Sequence, residues 1–149
     1  MNYKMVGFVL GRIFLIEAVL MLFPMGCAAL YGEWNIILAF LWPALILLAL
    51  GLVTSLRTPK NTKIYARDGL AIVALVWVLM SVFGALPFVI SGEIPSFVDA
   101  LFETVSGFTT TGATILTEVE SLNRGILFWR SFTHWVGGMG VLVFVMAIL

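Results

Sequence analysis

An all-α membrane protein is the fold class this sequence predicts, with four transmembrane helices plus one re-entrant pore helix and filter loop between the third and fourth. Three observations point there. Of 149 residues, 62% are hydrophobic and only 11% charged, a balance outside that of soluble domains. Two runs, 35–56 and 69–92, carry no charge, and each is long enough to cross about 30 Å of hydrocarbon at about 1.5 Å per residue. Between the second run and an apolar C-terminal one lies P-S-F-V-D-A-L-F-E-T-V-S-G-F-T-T-T-G-A-T, residues 95–114. It reads as a helix too short to span followed by irregular backbone, which is tolerated at membrane depth only where it is buried in protein or lines a watery cavity.

The first expected span is 5–30, with Arg12 and Glu17 near its start and Pro24 inside it, so a kink is expected near Pro24. No small-residue cleavage site follows it, so the N-terminus does not read as a cleavable signal peptide. A short polar turn with interfacial aromatics, Tyr31-Gly32-Glu33-Trp34, leads to the second span at 35–56. The chain therefore divides into a two-helix transmembrane pair at 1–56, a basic loop at 57–68 (R-T-P-K-N-T-K-I-Y-A-R-D), and a helix–pore-loop–helix unit at 69–149. In that unit the third span is 69–92, a polar loop covers 116–123, and the fourth span runs from Arg124 to Leu149 and stops without a polar flank. That ending reads as a truncated chain.

The net formal charge is zero, but the charges are sorted. Lys4, Arg12, Arg57, Lys60, Lys63 and Arg67 fall on one side, which the positive-inside rule makes cytoplasmic. Glu33, Glu93, Asp99, Glu103, Glu118 and Glu120 fall on or toward the other, opposed by Arg124 and Arg130. Both termini are thus expected in the cytoplasm, with 95–114 entering from outside. A ring of carboxylates at an outer mouth would raise the local cation concentration; the competing reading is simply solvated loop acids. One cysteine, Cys27, excludes an intrachain disulfide framework and reads as a small buried hydrophobe, and one histidine, His134, excludes a multi-His metal centre.

Within 95–114, Ser96 followed three residues later by Asp99 is a capping-box pattern. Phe97, Val98, Leu101, Phe102 and Val105 then recur with the spacing of one helical face. A helix over 97–106 is about 15 Å long, half a bilayer. Gly107 suits the left-handed position that ends helices, and the helix dipole would favour a cation at that deep end. Thr109-Thr110-Thr111-Gly112-Ala113-Thr114 follows directly. A potassium filter needs successive carbonyls turned toward one axis, and such a backbone needs a residue free of a Cβ, which Gly112 supplies. A Thr-rich external turn would leave the capped half-length helix, the acidic loop and the two flanking spans without a role.

F-E-T-V-S-G-F-T-T-T-G-A-T, followed by F-W-R-S-F-T-H-W-V-G-G-M-G-V, resembles the first pore repeat of the Trk/Ktr/HKT potassium-uptake family, most closely its TrkH branch. The two leading helices resemble the extra N-terminal pair of that branch. The resemblance implies a potassium transporter with four such units around one pore, each giving one filter segment with a shared glycine. Carried onto this sequence, Gly112 is that glycine, and the backbone carbonyls of Thr110, Thr111, Gly112 and Ala113 are the K⁺ ligands. It implies a cell-membrane location and no cofactor beyond the transported K⁺. Its implied partners are lipid, three further repeats, a second copy of the full-length protein and a cytoplasmic nucleotide-binding regulatory subunit, with no nucleic acid. One repeat alone could not enclose a pore.

Arg130 and His134 are four residues apart, and Gly137, Gly138 and Gly140 continue that side of the fourth span. Small residues let helices approach closely, so this stripe is expected to face the pore helix. An arginine so far inside the span needs a partner or must reach toward the interface. Glu103 is the candidate partner, and the pair would support the filter from behind; otherwise Arg130 reaches to headgroups. His134 is expected to be a hydrogen-bonded packing residue rather than a ligand, and Glu17, five residues after Arg12, a member of a structural pair rather than a proton carrier. An intramembrane enzyme built on Ser106 and His134 lacks a second activating partner and an evident oxyanion hole, so the chain does not read as an enzyme. The sequence is also compatible with an assembly fragment that does not transport alone, and with a homotetramer of one-repeat chains.

Overall fold

The computed structural model describes residues 2–56 and 58–148, excluding the side chains of 141 and 144–148. Arg57 of the basic loop and Leu149 of the fourth span lie outside the described residues. The described chain is helical without strands: α1 Tyr3–Leu20, α2 Leu22–Leu30, α3 Trp34–Ser55, α4 Ala66–Ser91, α5 Phe97–Phe108 and α6 Arg124–Ile148. Among the described residues three segments are long and apolar enough to cross a membrane, Tyr3–Leu30, Trp34–Ser55 and Ala66–Ser91. The fourth expected span, α6, has 25 residues, about 37 Å of helix, and its residues 131–148 carry no Asp, Glu, Lys or Arg; part of it lies outside the residues whose side chains are described.

The expected kink near Pro24 is a break at Met21, three residues earlier, where α1 ends and α2 begins. Proline at position 24 cannot donate to the Leu20 carbonyl, and its ring crowds that group. The disturbance therefore appears one turn before the proline. Pro24 itself sits in the first turn of α2, where an N–H would have no partner in the helix.

The third span begins at Ala66 rather than 69, because Asp68 completes its first turn. The Asp68 carboxylate accepts from Tyr65 N at 3.2 Å and from Asn2 N at 3.3 Å, which ties the start of the chain to the start of α4. Gly92, with φ 79°, closes the helix at the expected place.

Helices α1 and α3 cross where Gly11 meets Gly51. A Cβ on Gly51 would lie 2.9 Å from the Gly11 carbonyl oxygen, so the two backbones nearly touch. The centre of the core is Trp129 on α6, which meets Phe40 of α3 at 5.8 Å and Phe108 of α5 at 6.5 Å between ring centroids. Its indole Nε1 donates to the Gly84 carbonyl of α4 at 2.9 Å, so one buried side chain joins four helices and keeps its polar atom satisfied. Cys27 is half-buried rather than buried.

Candidate pore segment

Helix α5 is capped as its sequence suggests, with Ser96 Oγ accepting from Asp99 N at 3.4 Å. It runs two residues further than the expected 97–106, to Phe108, and is about 18 Å long. Gly107 therefore does not end it in a left-handed turn. That conformation falls on Thr110, with φ 57°. Thr111 N donates to Ser106 O and Thr110 N to Gly107 O, both at 2.9 Å, the paired bonds of a Schellman ending with a threonine where glycine is usual.

Gly107 is required for a different reason: a Cβ there would run into the Thr133 hydroxyl of α6. Gly137 is the counterpart on α6, where a Cβ would collide with the Phe108 carbonyl. The glycine stripe of α6 thus meets the end of α5 at Gly137. Gly138 is near Thr110, and Gly140 faces Trp77 of α4 instead.

After the turn, residues 111–116 have no regular secondary structure. Glu103 is almost fully buried, and its carboxylate gathers the loop. The Thr114 hydroxyl is shared between its two oxygens at 3.0 and 2.9 Å, Ile115 N donates to Oε2 at 3.2 Å, and Arg130 Nε donates to Oε1 at 2.6 Å. Thr114 Oγ1 in turn accepts from Leu116 N at 3.1 Å. Ser106 Oγ donates to the Ala113 carbonyl at 2.6 Å, and the hydroxyls of Thr109 and Thr111 lie 2.8 Å apart.

Among the described residues the carbonyls of Thr110, Thr111 and Gly112 accept no hydrogen bond, whereas that of Ala113 does. Gly112 has φ 77°, with no atom within 4 Å of where a Cβ would stand. Its requirement is one of backbone conformation rather than space. Thr109 through Ile115 are all exposed.

The expected ring of six outer carboxylates is thinner than the sequence suggests. Glu103 is internal. Glu33 accepts from Arg124 N at 2.8 Å and Gly125 N at 3.0 Å, capping α6, and Glu93 accepts from Asn123 Nδ2 at 2.5 Å. Asp99, Glu118 and Glu120 remain exposed. His134 Nδ1 donates to the Arg130 carbonyl at 2.9 Å, one turn back on its own helix. Sequence reasoning missed the role of Ser106 as a loop anchor, although it lies inside the quoted motif; for Thr114 it allows that a threonine hydroxyl ties the loop to its surroundings but does not name Glu103 as the acceptor. It also missed the capping of α6 by Glu33, for which a separation of about ninety residues leaves no local signal.

A family model described as "TrkH: Cation transport protein" matches residues 36–149. The chain belongs to the TrkH family. An uncharacterised cation transporter of Methanocaldococcus jannaschii is 41% identical over 136 residues, 91% of this chain and 28% of that protein. The Trk system potassium uptake protein TrkG of Escherichia coli is 37% identical over 150 residues, 99% of this chain and 31% of that one. The crystal structure of the potassium transporter TrkH from Vibrio parahaemolyticus superposes with a TM-score of 0.91 at 35% identity, over 100% of this chain and 32% of that one. The chain therefore spans about a third of the length of the TrkH-family relatives it matches. Those relatives are named as a cation transporter, a potassium uptake protein and a potassium transporter, and the all-helical architecture of this chain matches that of the solved TrkH structure.

Proposed function

We propose that this chain supplies one of four filter segments to a potassium-conducting pore, with Thr110, Thr111, Gly112 and Ala113 presenting backbone carbonyls to K⁺. The observation that carries the reading is the anchoring of the 109–116 loop. Glu103, Ser106 and Arg130 hold it from one side, while three successive carbonyls, of Thr110, Thr111 and Gly112, are left without hydrogen bonds. Carbonyls fixed in place but free of donors can replace an ion's water shell without first breaking bonds of their own. Glu103 and Arg130 act as positioning groups in this scheme; neither touches the ion.

The pore is completed by three further units of the same kind, in a full-length protein that pairs with a second copy in the cell inner membrane. Both ends of this chain face the cytoplasm, and α6 is a fourth span. A cytoplasmic nucleotide-binding regulatory subunit meets the side carrying Lys60, Lys63 and Arg67. The exposure of Thr109 through Ile115 is what a segment awaiting neighbours would show. Potassium-dependent growth of an uptake-deficient strain, rescued by the full-length gene, tests the reading. Gly112→Asp should abolish rescue with the protein still present in the membrane, and retained rescue would contradict the filter assignment.

A further inference from the structure

Buried hydroxyls in this chain mostly bond back to their own helix. Ser81 donates to the Trp77 carbonyl, Thr104 to that of Ala100 and Thr133 to that of Arg130, at 2.7, 2.8 and 2.7 Å. The buried carboxylate of Glu17 has no hydrogen-bond partner among the described residues, so the structural pair expected of it is not formed. Ser106 does neither. It is 5% exposed, and its hydroxyl leaves α5 to reach the Ala113 carbonyl, seven residues ahead, at 2.6 Å.

The same residue also holds the loop by its backbone. The Ser106 carbonyl accepts from Thr111 N at 2.9 Å, so Ser106 bonds to the residues on both sides of Gly112, whose φ is 77°. Glu103, three positions back on the same side of α5, takes the next stretch through Thr114 and Ile115. The peptide that carries the Ala113 carbonyl is therefore fixed at both ends, by Ser106 at its oxygen and by Glu103 at the Thr114 side chain.

A carbonyl oxygen has two lone pairs. With one taken by the Ser106 hydroxyl, the Ala113 oxygen keeps one for a cation, and the donated proton offsets part of its negative charge. The carbonyls of Thr110, Thr111 and Gly112 accept nothing among the described residues and present an undiminished field. Na⁺ is smaller than K⁺ and holds its water more tightly, so it needs oxygens that close in and carry a strong field. An oxygen that is held in place and weakened suits the larger ion. Site size and ligand field strength are the two sources of such selectivity, and this bond pushes both in the same direction.

We propose that Ser106 is a specificity-determining positioning residue: its hydroxyl fixes and weakens the Ala113 carbonyl, and so disfavours Na⁺ against K⁺. Ser106 itself does not touch the ion. The inference rests on the reading that residues 110–113 line the ion path.

The test is the ratio of rubidium uptake, standing in for K⁺, to sodium uptake in vesicles holding the full-length protein. Ser106→Ala frees the Ala113 carbonyl and should lower that ratio about two- to tenfold, the span of one hydrogen bond, by admitting more sodium. Thr104→Val removes a buried hydroxyl that bonds only within the same helix, and should leave the ratio at the wild-type value. Ser106→Cys keeps a similar shape with a weak donor and should fall between wild type and Ser106→Ala; it carries the comparison if Ser106→Ala does not reach the membrane. An unchanged ratio in the Ser106 variants overturns the proposal. So does an equal fall in Thr104→Val, which would mark a general loosening of α5. Gly112→Asp separates this inference from the reading beneath it. With uptake lost in Gly112→Asp, an unchanged Ser106 ratio removes the role of Ser106 alone; uptake retained in Gly112→Asp removes the filter reading and this inference together.

Discussion

Glu103 illustrates how one side chain can fix a segment that has no secondary structure of its own. Its carboxylate meets a hydroxyl, a backbone N–H and a guanidinium, and charge-assisted bonds of this kind are about twice as strong as neutral ones. Removing one partner of a buried ion pair leaves the other uncompensated, at about 3–5 kcal/mol. Arg130 keeps 17% exposure, so Arg130→Met should cost toward the lower end, about 3 kcal/mol. Thermal unfolding of the full-length protein checks this, and changed K⁺ over Na⁺ selectivity should accompany it if the pair positions the loop. At Gly112 the constraint is purely conformational. A methyl group there meets nothing within 4 Å, yet Gly112→Ala should destabilise by about 1–2 kcal/mol, the cost of a left-handed L-residue. Thr110 already bears that cost at φ 57°, so Thr110→Gly should raise the thermal midpoint. A fall would mean the threonine side chain contributes more than its backbone strain removes.

At the scale of elements, the end of α5 rests on α6 through two close approaches, Gly107 on Thr133 and Gly137 on Phe108. Gly137→Ala should push α6 off the end of α5 and lower stability, and uptake with it if α5 carries the proposed filter loop. Gly138→Ala, whose nearest neighbour would be at 3.9 Å, should be tolerated; ion uptake by the two variants, compared at equal protein level, decides. The sequence carried most of the elements. Uncharged runs marked α3 and α4, and the Ser96–Asp99 cap marked the start of α5. It misplaced the end of α5, because a glycine was read as a helix terminator when its missing Cβ was needed for a neighbouring helix. That neighbour lies 26 residues away, and local pattern cannot distinguish the two uses. The break at Met21 was displaced for a related reason: a proline disturbs the turn before it rather than its own position.

For the whole molecule, the leading helices α1–α3 and the helices α4–α6 are joined by Trp129 in the core and by Glu33 at one end of α6. Glu33 caps α6 across the chain with two backbone bonds. Loss of a cap costs about 1 kcal/mol, so Glu33→Ala should lower the unfolding midpoint by a few degrees while leaving selectivity unchanged. Such ties join residues far apart in sequence, and so the candidate site was legible as a motif but its scaffold was not. Gly112, Glu103 and Arg130 could be named from the sequence, whereas the hydroxyl anchors and the Glu33 cap depend on how the helices come together. The most direct measurement is rubidium uptake into vesicles containing the full-length protein, with Gly112→Asp compared against Gly32→Asp. Both glycines have φ near +75° (77° and 72°) and open space around the missing Cβ, so backbone strain is matched and only position differs. If residues 110–113 line the ion path, Gly112→Asp loses uptake and Gly32→Asp keeps it. Equal uptake by the two variants, or loss in Gly32→Asp alone, would contradict that placement.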